Sequence, residues 1–264
     1  MMQNTNSQAE TQHGLAISDS ALQERRERVF LVLAGVFLCA MTMLNVIGIT
    51  RFVQIGPIQV AVGVLAYPLT FLCTDLVSEL YGRTRANFLV TVGLFLNGFI
   101  LFVMAMANAL PAIDPSIQPP WQTLALSAPV GLPNGDSVSD QVELFSLMYA
   151  MTTGAIFASM FAYVTAQYVD VYVFHFLKKK TQGKHLWLRN NASTLVSQLV
   201  DSFAVISITF GAVFLAGGMS LTTVLGLMFS NYIFKMLSAL LDTPIIYFAV
   251  AKLKPYLGLE LAKS

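Results

Sequence analysis

The sequence predicts an all-α integral membrane protein with six transmembrane helices, and three observations carry that prediction. Hydrophobic residues make up 56% of the 264 residues and charged residues only 11%, where a soluble domain carries roughly 25% charged. Mean hydropathy is +0.67. The apolar residues fall into long runs of spanning length, since a helix rising 1.5 Å per residue needs about 20 residues to cross a hydrocarbon core of about 30 Å. Basic residues alternate between the loops: thirteen of the fifteen fall on one side of a six-span arrangement. That asymmetry predicts both termini cytoplasmic.

Residues 1–28 are polar, rich in Gln, Ser, Asn and Thr, and end in Arg25, Arg26 and Arg28. They read as a flexible cytoplasmic tail. The first span is Val29–Ile49, too long for a signal-peptide core. Next come Ile58–Leu80, which turns acidic after Cys73, and the clean span Ala86–Leu110. The longest loop, Pro111–Glu143, holds six prolines and no Lys or Arg, with Trp121 as an interfacial anchor. The fourth run, Leu144–Leu177, is too long for one upright crossing, so it must tilt, kink or project into the cytosol. Ala192–Gly217 and Leu221–Val250 complete a transmembrane domain over residues 29–253, and 254–264 form a second cytoplasmic tail. In the fourth span Ala150, Gly154, Ala158, Ala162 and Ala166 recur every fourth residue. This small-residue stripe allows close helix packing or docking of a partner. No internal repeat is evident.

Several functions are excluded or unsupported. A net charge of +1 without a long basic patch gives nucleic acid no surface. Cys39 and Cys73 lie in separate apolar runs, and His13, His175 and His185 have no metal-ligand spacing, so neither a metal site nor a cofactor is expected. No phosphate-binding G-x-x-x-x-G-K-[ST] loop, H-E-x-x-H helix or G-x-S-x-G turn occurs. An enzyme is therefore not expected. Asn191-Ala192-Ser193 matches the glycosylation pattern but falls at a cytoplasmic span end.

Ionisable groups in a bilayer core cost about 2.5–3.5 kcal/mol each on insertion scales, so those present face a cavity or a partner. The set here is Asp75 and Glu79 in the second span, Asp170 in the fourth, Asp201 in the fifth, and Lys235 and Asp242 in the sixth. Asp201 and Lys235 fall near mid-depth. Asp75 and Glu79 are four apart on one face, which Tyr67 and Phe71 extend; Glu79 also reads as a snorkelling residue paired with Arg83. Ser197, Gln198, Asp201 and Ser202 crowd one side of the fifth helix, as a ligand-lined face or as a helix–helix network. Lys235 either contacts a ligand or neutralises Asp201. Asp170 has the Lys178–Lys180 run as a rival partner. Asn45, Asn97, Gln167 and Asn231 are intramembrane amides, each alone more often helix glue than ligand contact.

The run Tyr67-Pro68-Leu69-Thr70-Phe71 into Thr74-Asp75, then Glu79 and Tyr81-Gly82, resembles the signature of the queuosine precursor transporter family, also called the vitamin uptake transporter family. So do Trp187-Leu188-Arg189-Asn190-Asn191 with Ser193-Thr194, Ser197-Gln198 and Asp201-Ser202, and the stretch from Gln167 through Asp170-Val171 to Phe176-Leu177-Lys178. The resemblance implies a six-helix inner-membrane importer of a 7-deazaguanine, 7-cyano-7-deazaguanine or its aminomethyl relative, for queuosine salvage into tRNA. It also implies a fold similar to the substrate-binding components of energy-coupling-factor transporters.

A guanine-like edge offers adjacent N–H donors to a carboxylate, a carbonyl oxygen to an amide or lysine, and a flat face to aromatics. The expected substrate contacts are therefore Asp201 or Asp75 as carboxylate, Gln198 or Asn231 as amide, Lys235, and Tyr67 or Phe71 as platform. Glu79, Asp170 and Asp242 are assigned to ion coupling or structure. The expected partners are the deazapurine and membrane lipid, with homo-oligomerisation left open. Two functions stay open: a self-sufficient carrier, and a substrate-binding subunit of an ATP-driven vitamin or nucleobase uptake system.

Overall fold

A computed structural model describes residues 19–114, 117–132, 136–182 and 186–259, without the side chains of 83, 167, 170, 171, 174, 178 and 186–191. The order is α1 (Asp19–Val46), β1 (Phe52–Ile55), β2 (Ile58–Ala61), a 3-10 segment (Val62–Ala66), α2 (Tyr67–Tyr81) and α3 (Arg83–Ala109). Strands β3 (Thr123–Ala125), β4 (Val130–Gly131), β5 (Ser137–Val138) and β6 (Gln141–Glu143) follow, then α4 (Leu144–Lys180), α5 (Leu186–Leu215) and α6 (Leu221–Tyr256). Among the described residues six helices are long and apolar enough to cross a membrane. The all-α membrane fold is as the sequence predicts.

Element boundaries depart from the sequence reading in four places. First, α1 begins at Asp19, so residues 19–28 are helix and not tail. The added turns carry their own i,i+4 links, Gln23 Nε2 donating to Glu27 at 3.1 Å and Arg28 pairing with Glu24 at 2.5 Å. The remainder of the predicted tail, residues 1–18, lies outside the described residues.

Second, the apolar run from Ile58 is not one helix. Phe52–Ile55 pairs antiparallel with Ile58–Ala61 in the register Ile55↔Ile58. The two-residue connection is Gly56-Pro57, and Gly56 sits at φ +59°, the left-handed region a tight hairpin turn needs and glycine supplies without strain. Chain then tightens through Val62–Ala66, and α2 starts where Pro68, lacking an N–H, fits the first helical turn.

Third, the Pro-rich loop folds back on itself, with β3 paired to β6 and β4 to β5. Fourth, the C-terminal tail is partly docked: Leu257 is fully buried, and Arg26 donates from Nε to its carbonyl at 2.9 Å and from Nη2 to that of Gly258 at 3.3 Å.

Helix α4 is continuous for 37 residues, about 55 Å at 1.5 Å per residue, longer than one upright crossing requires. It runs its whole length without a break. Its most extensive neighbour is α5, and Ala150, Ala158, Ala162 and Ala166 are all buried. The small-residue stripe is therefore used inside the bundle, where missing side-chain bulk lets backbones approach.

A second close approach fixes the N-terminal end of α2. Gly63 donates its N–H to Gly48 O at 3.1 Å, and a Cβ on Gly63 would stand 2.5 Å from Leu44 O and 2.6 Å from Gly48 Cα. Only glycine fits there. Apolar clusters then hold the bundle at two places: Phe37, Cys73, Val77, Ala86 and Leu89 join α1, α2 and α3, while Ile206, Phe210, Val224, Leu227 and Met228 join α5 to α6.

Candidate functional site: a polar cavity among five helices

Helical periodicity assembles the site. On α2, Tyr67, Thr70, Phe71 and Thr74 are spaced as one face, and on α5 so are Thr194, Ser197, Gln198, Asp201 and Val205. These two faces, with Phe37, Met41, Leu44 and Asn45 of α1, Val90, Leu94 and Asn97 of α3, and Ser159, Met160, Tyr163 and Ala166 of α4, line a cavity of about 350 Å³. That lies within the range of small-molecule sites, about 300–1,000 Å³. Its wall mixes aromatic and aliphatic side chains with a few hydroxyls, amides and one carboxylate, the composition that binds a flat, polar-edged solute.

One buried cluster anchors the wall. Lys235 of α6 donates its ammonium to Asp201 Oδ2, and both side chains are almost wholly buried. Tyr67 Oη donates to the same oxygen at 3.4 Å, and the Lys235 ammonium lies 4.4 Å from the Tyr67 ring centroid. Phe71 meets the Tyr67 ring edge-on, centroids 4.9 Å apart. Two charges that would each be costly in a bilayer thereby form a neutral, oriented pair. Asp201 keeps further lone pairs for a third partner, because a carboxylate offers about four acceptor positions.

Two amide oxygens at the cavity wall have no partner among the described residues: Gln198 Oε1 and Asn45 Oδ1. An unsatisfied buried acceptor costs about 1–3 kcal/mol, so each of these oxygens retains hydrogen-bonding capacity.

The predicted site residues divide as follows. Asp201, Gln198, Tyr67 and Phe71 meet at the cavity. Lys235 and Asn231 do not line it: they border a separate pocket of about 60 Å³ together with Gly48, Gly63 and Thr209, with Tyr67 common to both spaces. Lys235 thus meets the cavity wall from behind, through its contacts with Asp201 and Tyr67. Asp75 is likewise outside the cavity wall, within electrostatic range of Asp242 on α6. Asp75 shares the four-residue spacing of Tyr67 and Phe71, so the packing of α2 against its neighbours, not its helical phase, leaves it outside. Asp242 is buried, with Oδ2 unpartnered.

Glu79 pairs with Lys254 Nζ at 2.5 Å, a tie from α2 to the end of α6, while the side chains of Arg83 and Asp170 lie outside the described residues. No group of three or more metal-ligating side chains occurs among the described residues. Sequence reasoning set Asn45 and Asn97 aside as helix glue. They are that, since Asn45 Nδ2 donates to Asn97 Oδ1 at 3.0 Å, and they also face the cavity. A single amide in an apolar helix carries no periodic signal that would have shown it.

Comparison with known proteins bears on what this cavity belongs to. The chain is 26% identical over 203 residues to a Bacillus subtilis (strain 168) protein named "Probable queuosine precursor transporter", covering 76% of each chain. No solved structure matches the chain, so the likeness to energy-coupling-factor components stays an implication of the resemblance. The family model described as "Putative vitamin uptake transporter" matches residues 61–249, which takes in the hairpin strand at Ala61, all of α2 to α5 and most of α6. This multi-pass membrane protein, with its cavity among five helices, therefore belongs to the vitamin uptake transporter family.

Proposed function

We propose that the chain imports a queuosine precursor, a 7-deazaguanine such as 7-cyano-7-deazaguanine or its aminomethyl relative, across the bacterial inner membrane, with both termini cytoplasmic. The observation that carries the reading is the cavity: an oriented carboxylate at Asp201, an unpartnered amide oxygen at Gln198, and the Tyr67 and Phe71 rings, all lining one space of about 350 Å³. Asp201 accepts from the adjacent N–H donors of the aminopyrimidine edge, Gln198 takes a neighbouring N–H, and the aromatic rings cover the flat face. Lys235 and Tyr67 hold the Asp201 carboxylate in place. The relative named as a queuosine precursor transporter supports the substrate class, and the transporter family supports carriage rather than catalysis.

The test is uptake of labelled 7-cyano-7-deazaguanine into liposomes containing the purified chain alone, with Asp201→Ala alongside. The expected result is saturable uptake that Asp201→Ala reduces by at least a hundredfold while the protein still inserts. Uptake unchanged in Asp201→Ala would remove the carboxylate from the mechanism. Uptake only after addition of an ATPase module would favour the binding-subunit alternative over the self-sufficient carrier.

A further inference from the structure

Helices α1 and α5 are not packed on one another to any extent, yet each presents a buried, unpartnered amide oxygen at the cavity, Asn45 on α1 and Gln198 on α5. The Asn45 amide has only one workable orientation. Its Nδ2 donates to Met41 O at 3.1 Å and to Asn97 Oδ1 at 3.0 Å. Turning the amide over would set Oδ1 against two acceptors and leave Nδ2 without one, so Oδ1 is the atom left unpaired. Asn45 is 1% exposed and Asn97 2%, which gives this arrangement little freedom. The amide pair thus fixes an acceptor, and only an acceptor, at Asn45, on a different helix of the cavity lining from Asp201.

We propose that Asn45 is a substrate-contacting, specificity-determining residue whose Oδ1 accepts the N–H of the five-membered ring, while Asp201 and Gln198 hold the aminopyrimidine edge. Asn97 is a positioning residue that locks the Asn45 amide. The inference rests on the deazaguanine reading and deepens it. A ligand suited to this cavity carries N–H donors on more than one edge of a flat bicycle. Placing a substituent on the five-membered-ring nitrogen removes one of them and leaves Asn45 Oδ1 unpaired, and sites built to hydrogen-bond a group reject analogues that lack it.

The experiment is a two-by-two binding measurement on the full chain in detergent, using 7-cyano-7-deazaguanine and its 9-methyl derivative against wild type and Asn45→Ala. Wild type is expected to bind the unmethylated base at least tenfold more tightly than the methylated one. Asn45→Ala is expected to lose about tenfold for the unmethylated base and less than twofold for the methylated one, so that discrimination disappears. Equal weakening of both ligands would overturn the proposal in favour of a purely structural asparagine pair, and so would undiminished discrimination in Asn45→Ala. Should Asn45→Ala fail to fold, wild-type affinities within twofold of each other overturn the proposal on their own. If wild type binds neither compound, the deazaguanine reading fails first. If it binds both equally, that reading survives and the assignment of Asn45 does not.

Discussion

Lys235 and Asp201 show how two opposite charges are held inside a helix bundle. Both are sealed in the bundle and neutralise each other. Removing one partner of a buried ion pair strands the other and costs about 3–5 kcal/mol, whereas replacing both by uncharged groups is often neutral. Lys235→Met is therefore expected to lower the melting temperature sharply in detergent, and Lys235→Met with Asp201→Asn to recover most of it. Uptake should remain abolished in the double variant, because the oriented carboxylate is gone. Recovery of transport together with stability would show that the pair is only structural. The pairing of Lys235 with Asp201 was open at the sequence level as one of two roles. Equal depth on two helices allows the contact, and only their packing makes it.

At the level of elements, the decisive feature is how α2 begins. An apolar run from Ile58 looks like a span by hydropathy, but the Gly56-Pro57 turn between two β-branched stretches marks a hairpin, and α2 starts only at Tyr67. The Gly48–Gly63 contact sets where that start lies relative to α1. Gly63→Ala is expected to cost about 1–3 kcal/mol, because the atoms it meets are backbone and cannot rotate away. It should also lower uptake, since Tyr67 is one helical turn further on. A melting curve and a transport assay on the same preparation check both. In the same way Ala158→Leu, at a fully buried position on the stripe of α4, is expected to destabilise the bundle by a similar amount, because two tightly approaching helices leave no room for the added side chain.

On the scale of the whole molecule, the first and last helices close the structure on one side. Arg26 binds the carbonyls of Leu257 and Gly258, Arg25 lies 4.9 Å over the Tyr256 ring, and Tyr81 Oη donates to Arg26 O at 2.8 Å. Nearby, Glu27 pairs with Arg85 at 3.1 Å and Glu79 with Lys254. An N-terminal helix end and a C-terminal helix end can meet only if the number of crossings is even. Reporter fusions are thus expected to place the C-terminus in the cytoplasm and the loop around Trp121 outside it. Deleting residues 257–264 is expected to cost at least the burial of one leucine, about 1.5–3 kcal/mol, and to make the start of α1 more sensitive to protease; unchanged melting and cleavage would show the docked end to be dispensable.

The sequence by itself determined the membrane class, the six spans, and the polar faces of α2 and α5. Hydropathy, loop charge and helical period are local properties that survive without a partner helix. Asp201, Gln198, Tyr67 and Phe71 were legible for that reason, each sitting on a face written into its own segment. The tertiary structure alone decided that Asp75 stays outside the cavity lining and Asn45 joins it, and that Lys235 sits behind Asp201. Those outcomes depend on how helices are rotated and spaced against one another, which is settled by close approaches such as Gly48 with Gly63 and by the small-residue contact of α4 with α5. Rotating a helix changes which side chains meet while leaving its own periodic pattern untouched, and so the site became visible only once all five walls were in place.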